Sequence, residues 1–247
     1  MNFSDMKLQI INGVKWYFNR NWNRNDMMNF NEIPEQVHTT LMKVYLILFC
    51  AMYCSTFGSF MQWISVAGGK FTVLSYVTSL ILLYIIPPGR VNTRFLLSML
   101  AAYSFGASVS AFPNYLFEIE QRIVLRLLTG ITIGCGNLLC RAITTRKRSE
   151  IYRGCMKYCF VLPIYALVFI VLDKSRSALL VIKIHTMQIL FMGYLMIYSQ
   201  EILYDADFGD INLVNCTLTV FFHLPGIVIH AARLYLQGAG IEQHEHN

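Results

Sequence analysis

Seven long apolar runs, separated by short polar links, constrain the fold of this 247-residue chain more than any other feature. A transmembrane helix needs about 20 mostly apolar residues, with a range of about 17–25. The runs therefore predict an all-α fold, a polytopic membrane bundle of about seven transmembrane helices. The predicted helices are about Leu41–Ile64, Phe71–Ile86, Phe95–Phe112, Ile123–Ile143, Cys155–Leu172, Ala178–Ile197 and Val214–Tyr235.

The low content of charged residues indicates what surrounds this bundle. Only 14% of the residues are charged, whereas a soluble domain has about 25%. Most of the outer surface is therefore expected to face a lipid bilayer. The net charge is +6, but the basic residues lie between apolar runs, where they orient a membrane protein. We expect no nucleic-acid partner.

The distribution of basic residues predicts the topology. The Arg146–Arg148 turn is the strongest basic link, and it falls on the same predicted side of the membrane as the N-terminus, which places both in the cytosol. We divide the chain into a cytosolic segment (1–40), a transmembrane bundle (41–236) and a polar tail (237–247). The first segment is either an interfacial helix or a partly ordered tail. The last apolar run either spans the membrane or bends back at Pro225-Gly226.

Small residues spaced four apart predict close helix contacts, because helices in lipid associate through small side chains. They lie in the third and fourth predicted helices, and they either pack against neighbouring helices or line a pathway. The predicted packing residues are Ser98, Ala102, Gly106, Ser110, Gly130 and Gly134.

Polar residues inside the last two predicted helices are the candidate functional residues, because polar groups are costly at membrane depth. Each helix carries its polar residues on one face, and the link between them, Asp205–Asp210, is predicted to be an acidic loop. The two faces form either a satisfied hydrogen-bond network or a pathway for Ca²⁺ or H⁺. The candidates are Tyr198, Glu201, Asn215, Thr219, His223 and His230.

We find no pattern typical of an enzyme. No nucleophile–base pair or phosphate-binding loop is visible, so no catalytic residues are predicted. The seven cysteines lie in or beside apolar runs, where cysteine packs as a small apolar residue. We therefore expect no metal site and no cofactor.

Three blocks of the sequence together carry a resemblance to a known family. The first runs from Ile33-Pro34 to Tyr45, and the second is Arg146-Lys147-Arg148-Ser149. The third runs from Ile197-Tyr198-Ser199-Gln200 through Gly209-Asp210 to Phe221-Phe222-His223. In order and spacing, these blocks resemble the Bax inhibitor-1 family, the transmembrane Bax inhibitor motif proteins, and most closely the endoplasmic reticulum type.

This resemblance implies a seven-helix fold with the last helix in the centre. It implies residence in the endoplasmic reticulum membrane, suppression of apoptosis and modulation of luminal calcium through a pH-dependent leak. It also implies Bcl-2 family proteins as partners.

Two positions depart from the family pattern. The family's leak is gated by two buried aspartates, and the corresponding positions here are Tyr198 and His223. Ca²⁺ prefers oxygen ligands such as carboxylates, so the calcium leak does not carry over directly. Two other functions remain as alternatives: a divergent, non-conducting scaffold or regulator with the same fold, and a seven-helix receptor. The short loops and the cytosolic N-terminus speak against the receptor.

Overall fold

The computed structural model describes residues 31–65, 70–87, 89–109, 121–173, 178–208 and 212–220. The chain divides into two units, Met1–Phe30 and Asn31–Asn247, and all of the described residues lie in the second. Within them the regular elements are helices, with one isolated bridge between Glu32 and Lys147. The predicted all-α fold is confirmed for this part of the chain.

Six helices are described from end to end, and a seventh, α7, is described over residues 213–220. Each overlaps one of the seven predicted runs. Their bounds are α1 (Glu35–Ser65), α2 (Lys70–Ile85), α3 (Val91–Val109), α4 (Gln121–Thr144), α5 (Arg148–Asp173) and α6 (Ala178–Phe208).

Two helices are much longer than the apolar runs that predicted them. α5 begins at Arg148 rather than at Cys155, and α6 ends at Phe208 rather than at Ile197. The prediction of an acidic loop beginning at Asp205 was therefore wrong, because Asp205 lies in the last turns of α6. The helix continues past its apolar run since Ile202 and Leu203 are still buried in the core.

Helix α1 packs against α3, α4 and α6, and α2 packs against α3. The main core lies between these helices and includes Tyr45, Leu128, Phe191 and Leu195, each almost fully buried. Residues 213–220 of α7 add Val220 to it. The predicted central position of the last helix depends mainly on residues after 220, which lie outside the described residues.

Large apolar side chains cover the outside of the bundle. Phe71 on α2 is 87% exposed and Tyr84 is 93% exposed. Further exposed apolar side chains lie on α1, α4, α5 and α6. Two described segments, Glu35–Gln62 and Val124–Thr144, are long and apolar enough to cross a membrane, and Phe71–Ile85 is a shorter apolar helix. An apolar outer surface of this kind gives the bundle the character of a helical membrane protein.

Candidate functional site

The predicted polar face of α6 turns toward α7. Tyr198 is buried, and its ring stacks on that of Tyr194 with 6.0 Å between centroids. The Tyr198 side chain hydrogen-bonds the Cys216 thiol of α7. Glu201, one turn further along α6, is half-buried. Thus α6 and α7 meet through the first of the two positions that depart from the family pattern.

The predicted polar face of α7 makes a different contact. The Asn215 side-chain oxygen accepts a hydrogen bond of 2.6 Å from Nη2 of Arg94, at the start of α3. Arg94 is 6% exposed, and its Nε has no partner among the described residues. Thr219 donates to the carbonyl of Asn215, one turn earlier in the same helix. His223 and His230, the other candidates on this face, lie outside the described residues.

A buried hydrogen bond joins α1 to α6 close to these residues. The Tyr45 hydroxyl donates to Oγ of Ser199 at 2.7 Å, and Ser199 in turn donates to the carbonyl of Leu195 at 2.6 Å. Both Tyr45 and Ser199 are almost completely buried. A satisfied buried hydrogen bond fixes the relative register of two helices, because breaking it leaves a polar group unpaired.

The chain before α1 docks on the basic turn between α4 and α5. The backbone N–H of Ile33 donates to the carbonyl of Arg146 at 3.1 Å, and Glu35 forms an ion pair with Arg146 at 3.4 Å. His38 Nε2 lies 2.7 Å from the carbonyl of Ala142 and 3.2 Å from that of Thr145. Carbonyls only accept, so Nε2 is the donor. His38 thereby satisfies carbonyls that the end of α4 leaves open.

The three sequence blocks of the family resemblance therefore meet at one end of the bundle. Block one contacts block two through Ile33 and Arg146, and it contacts block three through Tyr45 and Ser199. Block two contacts block three through Arg148, whose Nη1 donates to Oε1 of Gln200 at 3.5 Å. We call these contacts the three-block junction. Sequence analysis identified the blocks but gave no sign that they pack together.

The predicted packing glycines lie at close helix crossings. A Cβ atom placed on Gly106 would be 2.8 Å from the Cα of Ser55, so α3 touches the backbone of α1 there. A Cβ on Gly130 would be 2.9 Å from Oε1 of Gln188, and one on Gly134 would be 2.6 Å from the sulfur of Met192. Both of the latter contacts join α4 to α6.

The other predicted packing residues and one that sequence reasoning missed complete this surface. Ser98 and Ala102 are buried on α3, and Ser110 lies outside the described residues. Gly58 of α1 was not predicted, although a Cβ there would lie 3.1 Å from the backbone N of Ala107 on α3. Gly58 lies three residues after Ser55, so the two small residues share one face of α1. This spacing is the sequence signal that would have indicated Gly58 as a packing residue.

The site residues do not form a metal site in the part of the chain that the structure describes. No group of three His, Cys, Asp or Glu side chains is close enough to hold an ion there. Cys135 and Cys155 are buried in the apolar core between α4 and α5. The chemistry of the described site is therefore hydrogen bonding between helix ends.

The fold and the site together define a class of protein: a helical membrane-type bundle in which polar contacts, some buried and some exposed, join the helices at one end. Within that class, the chain is similar to two plant proteins named Bax inhibitor 1. It is 25% identical to the Arabidopsis thaliana protein over 221 residues, which is 89% of this chain and 90% of the relative. It is 25% identical to the Oryza sativa subsp. japonica protein over 226 residues, 91% and 90% of the two chains. No family model and no solved structure matches the chain.

Proposed function

We propose that this chain is a Bax inhibitor-1-type protein of the endoplasmic reticulum membrane that restrains apoptotic cell death. The observation that carries the proposal is the similarity to two Bax inhibitor 1 proteins over about nine-tenths of all three chains. The three-block junction supports it, because the blocks that resemble the family pack against one another. We propose no catalytic activity.

The membrane location and orientation form part of this proposal. Arg94 and the Arg146–Arg148 turn lie at helix ends that the junction and the Tyr198–Cys216 contact bring to one end of the bundle. Basic loops remain in the cytosol when a membrane protein inserts, so we assign this end to the cytosol. Bcl-2 family proteins are the partners that the family resemblance suggests for this face.

For calcium homeostasis, the function that the family resemblance implies, we propose that any Ca²⁺ leak through this chain is weak. Tyr198 offers a phenol where the family has a carboxylate, and that phenol already binds Cys216. Ca²⁺ takes six to eight oxygen ligands, carboxylates among them. The buried hydroxyls of the described core beside Tyr198, those of Tyr45 and Ser199, are neutral and already bonded to each other. This observation favours the alternative of a non-conducting regulator with the same fold.

A cell-survival experiment tests the main proposal. The full chain is expressed in cells in which Bax is induced, and survival is scored against cells without the chain. We expect protection by the unmodified chain and by Gly193→Leu, since nothing lies within 4 Å of a Cβ at Gly193. Gly106→Leu should protect poorly, because it forces α1 and α3 apart. Absence of protection by an unmodified chain that reaches the reticulum membrane would contradict the proposal.

A liposome experiment tests the calcium proposal separately. Liposomes loaded with Ca²⁺ and an indicator receive the unmodified chain, the double variant Tyr198→Asp/His223→Asp, or Tyr204→Asp. Tyr204 is an exposed residue of α6, so its variant adds a carboxylate away from the core. We expect a faster leak only from the double variant, because two carboxylates that share a site repel when both ionise. A rapid leak from the unmodified chain would contradict the proposal and direct attention to Glu201.

A further inference from the structure

Basic residues are concentrated on one helical hairpin, the α4–α5 pair. The 17 residues from Arg141 to Lys157 contain six basic residues and one acidic residue, a net charge of +5 in a chain whose total is +6. Orientation in a membrane requires only an excess of positive charge in a loop. Four of the six, however, lie within the helices: Arg141 in α4, and Arg148, Arg153 and Lys157 in α5. Arg148 is the first residue of α5 and faces Gln200, which leaves Arg141, Arg153 and Lys157 to consider.

Gly154 brings the first of these three onto the surface of the neighbouring helix. A Cβ placed on Gly154 would lie 2.7 Å from Cγ and 3.1 Å from Cδ of Arg141. The stem of Arg141 therefore crosses from α4 onto α5 over the bare backbone of Gly154. On α5, Arg153, Gly154 and Lys157 fall within one arc of about 100°, and Glu150 lies within the same arc. This side of the hairpin therefore carries three cations and one carboxylate.

These three cations have no anionic partner in the described part of the chain. Arg141, Arg153 and Lys157 are exposed, and none of them makes an ion pair or a side-chain hydrogen bond with a described residue. Two of the other three basic residues differ: Arg146 pairs with Glu35, and Arg148 binds Gln200. Lys147, in the turn itself, is exposed. Arg141, Arg153 and Lys157 thus form a positively charged surface to which an external anion can bind.

The exposed side of α5 becomes apolar directly beyond these cations. Phe160, Val161 and Ile164 are 64%, 62% and 61% exposed. Arg153 and Lys157 lie about 7.5 and 13.5 Å along the axis from Arg148, at about 1.5 Å per residue. The long stem of Lys157 lets its ammonium reach back toward Arg153. Along α5, positive charge near the turn is followed by apolar side chains. An anionic phospholipid has the same order of groups, because its charged headgroup is followed by apolar acyl chains.

We propose that the exterior of the α4–α5 hairpin binds an anionic phospholipid. Arg141, Arg153 and Lys157 hold its phosphate, and its acyl chains lie along Phe160 and the two aliphatic residues that follow it on α5. Arginine suits this task because its planar guanidinium donates two parallel hydrogen bonds to phosphate oxygens. The site rests on the proposed membrane location of α4 and α5, but it is independent of calcium conduction and of the effect on cell death.

Lipid binding to the purified full chain in detergent tests the proposal. Phosphatidylglycerol and phosphatidylcholine with identical acyl chains are titrated, and bound lipid is counted by native mass spectrometry. We expect tighter binding of phosphatidylglycerol. The double variant Arg153→Gln/Lys157→Gln should lose about 25-fold in affinity for it, at about five-fold for each cation removed. The matched control is Arg90→Gln/Arg126→Gln, which removes two exposed cations elsewhere and should change little.

Two further arms separate the lipid from simpler explanations. Gly154→Leu keeps every charge but displaces the stem of Arg141, so we expect a loss of affinity of about five-fold; if that variant does not fold, Arg141→Gln should give the same loss. Soluble glycerol phosphate should compete poorly, because it lacks the acyl chains. Equal affinity for the two lipids, an equal loss in the control variant, or full competition by glycerol phosphate would each overturn the proposal.

Discussion

Replacing Gly106 by alanine should destabilise the bundle, although alanine is the better helix former. The new Cβ would lie 2.6 Å from the carbonyl carbon and 2.8 Å from the Cα of Ser55. Two carbon atoms in favourable contact are about 3.5–4.0 Å apart, so α1 and α3 must separate by roughly 1 Å. Backbone cannot turn aside as a side chain can, and the whole crossing has to shift.

The expected cost follows from two opposing effects. Alanine in place of glycine inside a helix contributes about 0.5–1 kcal/mol of stability. Overpacking a close contact costs about 1–3 kcal/mol, and the buried contacts of α1 with α3 weaken as the helices separate. We therefore expect Gly106→Ala to lower the free energy of unfolding by about 1–2 kcal/mol, and Gly106→Leu to lower it by about 1–3 kcal/mol or more.

Thermal unfolding of the purified chain in detergent measures this effect, with Gly193→Ala as the matched control. Gly193 lies inside α6, and a Cβ there meets nothing within 4 Å. The same substitution should therefore raise the melting temperature at Gly193 and lower it at Gly106. If both alanine variants melt at or above the melting temperature of the unmodified chain, the close contact between α1 and α3 at Gly106 is contradicted.

Three further predictions concern the end of the bundle where the three-block junction lies. His38→Gln should lower stability by about 1–2 kcal/mol, because the end of α4 loses its capping donor; His185→Gln, which breaks only a bond within α6, should change the melting temperature little. Tyr45→Phe should cost about 1 kcal/mol for its buried hydroxyl, whereas Tyr53→Phe, at an exposed side chain, should be neutral in the same melting experiment. Protease should remove tags at the N-terminus and at the Arg146–Arg148 turn together in sealed microsomes, and digestion of only one tag would refute the assigned topology.

The sequence predicts the existence of each helix because each contains a long apolar run. It does not predict where the helices end. α6 continues for eleven residues past Ile197 although Tyr198, Ser199, Gln200 and Glu201 are polar. These polar residues stay helical because their neighbours Ile202 and Leu203 pack in the core. A hydropathy pattern does not contain that information, since burial depends on the other helices.

Sequence analysis named some residues of the candidate site, but it did not give the residues that they contact. Gly106 was expected at a close contact, yet only the structure identifies Ser55 as its neighbour. Asn215 was expected on a polar face of the last helix, and its partner Arg94 lies 121 residues earlier in the chain. The sequence shows which polar residues lie on one helix face, whereas the partner of each residue depends on how the helices assemble.

The most direct test of the central claim is replacement of a relative. Arabidopsis thaliana cells that lack their Bax inhibitor 1 receive this chain, the plant protein or an empty vector, and cell death is measured after a stress of the endoplasmic reticulum. We predict that this chain lowers cell death toward the level given by the plant protein, even if luminal calcium differs between the two. Cell death equal to that with the empty vector, in cells where the chain is present in the reticulum membrane, would contradict the account.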